Sequence, residues 1–239
     1  MALLILWLGR WNTQTSKPIL KRVKPWGLFR PGDRIIILGL PFTGKSRLAA
    51  KLTAQADRVV FFDPMNDYAQ FAGAKEITVS QLLENPKLLE TPKFRFAVIP
   101  DEENMIDELE DTIRLVRSAS NAVLVFDEVG DYRQQGEQIL NRVARNGRHD
   151  GIVPIYVSQV AIDIPLTVRR LATRVYSYMQ VDPKDIDALR DKYGEPFANA
   201  VRDSKPGELN VWTLPTLPHG LIPKKSAESN LPKSTPSQS

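Results

Sequence analysis

Arg34-Ile35-Ile36-Ile37-Leu38-Gly39-Leu40-Pro41-Phe42-Thr43-Gly44-Lys45-Ser46 is the stretch on which the fold turns. A short apolar run stops at a glycine, and helical spacing (Leu48, Ala49, Leu52) then runs from Lys45 to Gln55. The pattern is G-x-x-x-x-G-K-S in the order strand, loop, helix. Gly39 and Gly44 let the backbone curl so that its N–H groups point inward at phosphate oxygens. The helix that follows adds its positive dipole end. Gly39, Leu40, Pro41, Phe42, Thr43, Gly44, Lys45, Ser46 and Arg47 are therefore the expected binding set for ATP. Lys45 supplies charge to the β and γ phosphates, and Ser46 a hydroxyl to Mg²⁺.

Beyond the loop, strand and helix patterns alternate. Arg58–Phe62, Phe94–Ile99, Ala122–Phe126, Ile152–Val157, Arg174–Met179 and Leu209–Leu214 read as strands. Helices are expected over Glu102–Arg117, Gln134–Arg145 and from Pro183 to about Tyr193. Apolar strands between helices imply a mainly parallel central sheet flanked by helices, in the α/β class. Such sheets bind ligands at the carboxyl ends of their strands.

The strand Ala122–Phe126 ends in Asp127-Glu128. Asp127 is expected in the Mg²⁺ shell. Glu128, beside it, can orient and polarise a water for attack on the γ phosphate. A nucleotide kinase takes its nucleophile from the substrate and does not need that second acid. Two strands lie between Lys45 and Asp127 in the chain, which points to a P-loop NTPase of the additional-strand, catalytic-glutamate (RecA-like) type. There, one strand separates the P-loop strand from the strand carrying the acidic pair. The strand Ile152–Val157 leads to Ser158-Gln159, which puts the Gln159 amide near the γ phosphate. Arg148, and after it Arg145, are candidates to enter a neighbouring subunit's site and stabilise transition-state charge. Gly130–Gly136 reads either as a pore loop or as a surface turn.

The chain has 239 residues, 42% hydrophobic and 25% charged, with a formal charge of +4. That suits one α/β domain with short appendages. With no cysteine, disulfides, thiolate zinc sites and a cysteine nucleophile are excluded. The expected organisation is an N-terminal arm over 1–32, an ATPase domain over 33–214 and a Pro/Ser/Lys-rich tail over 215–239, disordered from about 224. The apolar run Ala2–Leu8 is too short to span a bilayer and lacks signal-peptide features. It reads as a buried strand, a packing arm or a membrane-surface anchor.

Together, Gly39–Ser46, Asp63-Pro64, Asp127-Glu128, Gly147-Arg148-x-x-Gly151-Ile152 and Ser158-Gln159 resemble the FtsK/HerA superfamily of DNA-translocating ATPases. Within it the chain is most similar to the genome-packaging ATPases of membrane-containing, double-jelly-roll, tectivirus-like viruses. Asp63-Pro64-Met65-Asn66-Asp67-Tyr68 follows the family's Asp-Pro-His-Gly-Glu-Tyr stretch only loosely, leaving Asp67 without an assigned role. The resemblance implies ATP-driven packaging of double-stranded DNA into a preformed capsid. It also implies a homo-oligomeric ring, expected to be a hexamer, that contacts capsid or portal-vertex proteins. The expected location is the packaging vertex of the virion and the host cytoplasm. The alternatives are a plasmid-transfer or chromosome-handling translocase, or an ATP-bound capsid-vertex module with little motor activity.

Overall fold

The computed structural model describes residues 27–215. The apolar run near the N-terminus and the tail from 216 onward lie outside the described residues. The elements, in chain order, are β1 (Ile35–Leu38), α1 (Lys45–Thr53), β2 (Arg58–Phe62), α2 (Tyr68–Ala72), β3 (Lys75–Ile77), α3 (Val79–Glu84), β4 (Phe94–Val98) and α4 (Met105–Ala119). They continue as β5 (Ala122–Phe126), α5 (Val129–Asn146), β6 (Ile152–Ser158), α6 (Leu166–Leu171), β7 (Arg174–Ser177), α7 (Pro183–Tyr193), α8 (Glu195–Asp203) and β8 (Asn210–Thr213).

The eight strands among the described residues form one sheet in the order β3-β4-β2-β5-β6-β1-β7-β8. Every neighbouring pair is parallel except β7 with β8. β1, β2, β5 and β6 are buried along their whole length, as strands covered on both faces must be. Alternation along β1 splits the core in two. Ile36 and Leu38 join Leu109, Val116, Leu140 and Val143 from α4 and α5, while Ile35 and Ile37 pack with Ala49 and Ala50 of α1.

One strand, β6, separates β1 from β5, as expected for the additional-strand type. It is not one of the strands lying between the motifs in sequence, which number three with the short β3. β2 and β4 go to the far side of β5, and the separating strand comes after both motifs in the chain.

The expected pore loop Gly130–Gly136 does not exist as a loop, because α5 begins at Val129 and covers it. Val129, Tyr132, Leu140 and Val143 form its buried face. Gly136 is there for close packing: a Cβ on it would lie 3.2 Å from Leu109 of α4. α4 starts later than expected, because Asp101 Oδ1 accepts from the N–H groups of Glu103 and Asn104 and holds a turn there. α3 carries a capping box, Thr78 with Gln81, and α8 has a proline in its first turn. Both signals stand in the sequence, yet neither helix was expected.

Candidate functional site

The register brings the ends of β1, β5 and β6 together, with Leu38 opposite Ser158 and Phe126 opposite Tyr156. Glycine is required twice in the loop after β1. Gly44 sits at φ 99°, in the left-handed region. A Cβ on Gly39 would lie 2.5 Å from Thr43 Oγ1 and 3.0 Å from Tyr178. Thr43 Oγ1 donates to the Leu40 carbonyl at 2.7 Å, which closes the loop on itself.

Lys45 is the first residue of α1 and is 6% exposed. Its Nζ lies 3.7 Å from Glu128 Oε1 and donates to the Leu40 carbonyl at 3.5 Å. Glu128 occupies the left-handed region at φ 43° as the N-cap of α5. A non-glycine residue there costs about 1–2 kcal/mol. Gln159 Nε2 donates to Glu128 Oε2 at 3.3 Å, so β6 holds the acid from its other side. Lys45, Glu128 and Gln159 thus meet in one place.

Asp127 is 1% exposed, and neither of its carboxylate oxygens has a hydrogen-bond partner among the described residues. Burial, reinforced by Glu128 and Asp63 and opposed by Lys45, pushes its pKa up to about 8. The fully buried Tyr68 hydroxyl faces Asp127 and Ser46 without reaching hydrogen-bond geometry with either. Ser46 Oγ donates to Asp67 Oδ2 at 3.3 Å. A buried carboxylate with bare oxygens near a serine hydroxyl fits a divalent cation. Among the described residues no group of three or more His, Asp or Glu side chains forms a cation cage of its own. An Mg²⁺ held through Ser46 and Asp127 would therefore be completed by phosphate oxygens and water.

Several neighbours were given no role in the sequence reading. Asp63 accepts from the N–H groups of Asp67 (3.1 Å) and Tyr68 (2.8 Å) and fixes the start of α2. Tyr68 stacks on Phe61 with ring centroids 4.2 Å apart. Tyr132 donates to the Asp127 carbonyl at 2.9 Å. Tyr178 lies along the loop, and its hydroxyl is 3.6 Å from where a Gly44 Cβ would stand. The loosely matched Asp63–Tyr68 stretch was the one available signal.

Arg145 and Arg148 are not part of this cluster. α5 runs from the carboxyl edge of the sheet to its amino edge, which leaves Arg145 in its last turn. Arg148 packs along Gly32, whose added Cβ would lie 3.4 Å from Arg148 Cδ. β6 separates it from Gln159 by seven residues, about 20 Å of strand. Within one subunit neither arginine reaches the phosphate loop.

No protein-family model and no curated protein matches the chain. Solved structures do. The genome packaging NTPase B204 of Sulfolobus turreted icosahedral virus 2, in complex with AMP, is similar at TM-score 0.61 and 16% identity. The match covers 77% of this chain and 94% of that one. The same protein with AMPPCP gives 0.59 and 17%, over 79% and 100%. B204 of Sulfolobus turreted icosahedral virus, described as a DNA-packaging ATPase, gives 0.56 and 18%, over 77% and 98%. The chain thus has an α/β P-loop fold with a mainly parallel sheet, similar to that of B204 over nearly the whole of that protein's length.

Proposed function

We propose that this protein is an ATPase that moves double-stranded DNA, and that its task is to package a viral genome into a preformed capsid. The observation that carries the hydrolytic part is the meeting of Lys45, Glu128 and Gln159 beside the phosphate loop. A site that only bound nucleotide would not need a strained, water-facing glutamate next to the acid that fits a metal. The packaging part is supported by the likeness to B204 and by the narrow motifs around Arg148 and Gln159.

The chemistry follows from the contacts. Lys45 exchanges Glu128 for phosphate oxygens when ATP enters, which frees the Glu128 carboxylate. Glu128 then accepts a hydrogen bond from a water and aims it at the γ phosphorus, while Gln159 keeps the carboxylate in register. As the water's oxygen bonds to phosphorus and the bond to the ADP oxygen breaks, the water's proton passes to Glu128. Ser46 and Asp127 would hold Mg²⁺, which would supply positive charge to the phosphates. The loop N–H groups cradle the same oxygens. For a neighbour's Arg148 to reach this site, subunits must stack amino edge to carboxyl edge, as a homo-oligomeric ring permits.

The test is steady-state ATP turnover by the purified protein with and without duplex DNA. Stimulation by duplex DNA, lost in Lys45→Ala, is expected. Turnover indifferent to DNA would leave an ATPase and remove the motor.

A further inference from the structure

Behind the exposed Gln159 lies a second glutamine that has no assigned role. Gln180 follows β7 and is 1% exposed. Its Nε2 donates to the Gln159 backbone carbonyl at 3.0 Å. Its Oε1 is buried and has no hydrogen-bond partner among the described residues. A side chain serving packing alone would avoid burying half an amide, which costs about 1–3 kcal/mol when left unmade. The amide end that is tied holds Gln159, which follows β6 and touches Glu128. Contacts therefore run from Gln180 to Gln159, to Glu128 and to Lys45, at 3.0, 3.3 and 3.7 Å. They cross the carboxyl ends of β7, β6 and β5 and finish on α1.

We infer that Gln180 is a positioning residue: it fixes the backbone of Gln159, and through it the aim of the Glu128 carboxylate at the attacking water. The inference rests on the ATPase reading above. Its reach extends past the site, because Gln180 is two residues before Asp182, the N-cap of α7. Asp182 Oδ1 accepts from the Lys184 N–H at 2.7 Å, which clamps that end of the helix. A shift of α7 is thus felt at Gln159 through three residues of chain and one hydrogen bond.

The experiment is a double-mutant cycle on ATP turnover in the full chain, using Gln180→Met, Gln159→Ala and the pair. Gln180→Met keeps length and loses the donor. It is expected to lower kcat about tenfold, the worth of one hydrogen bond in the transition state, with KM for ATP within about twofold. Gln159→Ala should cost more. The pair should be no slower than Gln159→Ala, since Gln180 acts through that residue. Multiplicative losses, an unchanged kcat in Gln180→Met, or a rise in KM at constant kcat would each overturn the inference. If Gln180→Met does not fold, Gln180→Leu replaces it with the same expected pattern. A wild-type chain without ATP turnover would defeat the functional reading itself. A wild-type ATPase that ignores the loss of Gln180 defeats only this inference.

Discussion

Glu128 is the residue in which strain and chemistry coincide. Its left-handed backbone turns the side chain from the end of β5 toward Lys45 and Gln159. Glu128→Gln keeps that shape and cannot take a proton from water. It should bind ATP as the wild type does, and hydrolyse it about 10²–10⁴-fold more slowly, as read by single-turnover kinetics beside equilibrium binding. Asp127 makes a separate prediction for the metal-free and nucleotide-free protein. Its folded pKa of about 8 stands above the unfolded value of about 4. Between those values the folded state holds more protons than the unfolded state, so stability falls as pH rises from 4 to 8. Asp127→Asn removes that slope. Its melting temperature in chelator should exceed the wild type's at pH 8, and the gap should close as pH falls to 4. Parallel melting curves across that range would place the bare carboxylate elsewhere in the balance.

Among the elements, the amino ends of β2, β4 and β5 are tied by one side chain. The Arg58 guanidinium donates to the carbonyls of Leu89 (2.9 Å), Ala119 (3.0 Å), Asn121 (3.1 Å) and Ser120 (3.2 Å), and to that of Thr91. It also lies 4.6 Å above the Phe94 ring. These bonds satisfy the turn after α4, where Ser120 and Asn121 both have positive φ. Arg58→Met fills the volume and orphans the carbonyls, so it should destabilise by about 2–4 kcal/mol. The denaturant midpoint at constant m-value measures this. Arg58→Lys should not restore it, because an ammonium lacks the planar fork. The site lies at the opposite edge of the sheet, so ATP affinity of the folded variant should be unchanged.

For the molecule as a whole, the exposed tip of the phosphate loop is the central fact. Phe42 at the tip of the phosphate loop is fully exposed among the described residues. Arg148 is exposed at the far edge of the same subunit. If a neighbour supplies it, Arg148→Ala should bind ATP, assemble and hydrolyse poorly, by about 10³-fold or more. Mixed with Lys45→Ala, it should regain part of its turnover, because an intact Arg148 on one subunit then meets an intact Lys45 site on the next. No recovery despite verified co-assembly would assign the lid to another residue, with Arg145 the next to test. No helix among the described residues is long and apolar enough to cross a membrane.

By itself, the sequence determined what short-range chemistry determines. The G-x-x-x-x-G-K-S spacing forces a strand, loop and helix, and five apolar residues before Asp127-Glu128 force a buried strand with acids at its end. Both stand where they were read. Gln159 likewise comes at the end of its strand, because a residue that follows a strand must emerge at its carboxyl edge. Tertiary structure decided which strands are neighbours, since strand order is set by crossovers that leave no mark in local pattern. That is why the separating strand proved to be β6. It also decided that Gly136 serves helix packing rather than a loop, since a glycine's reason lies in what would strike its missing Cβ. Gln180 was illegible for the same cause. An amide's role depends on which carbonyl it meets, and its partner is 21 positions away in the chain.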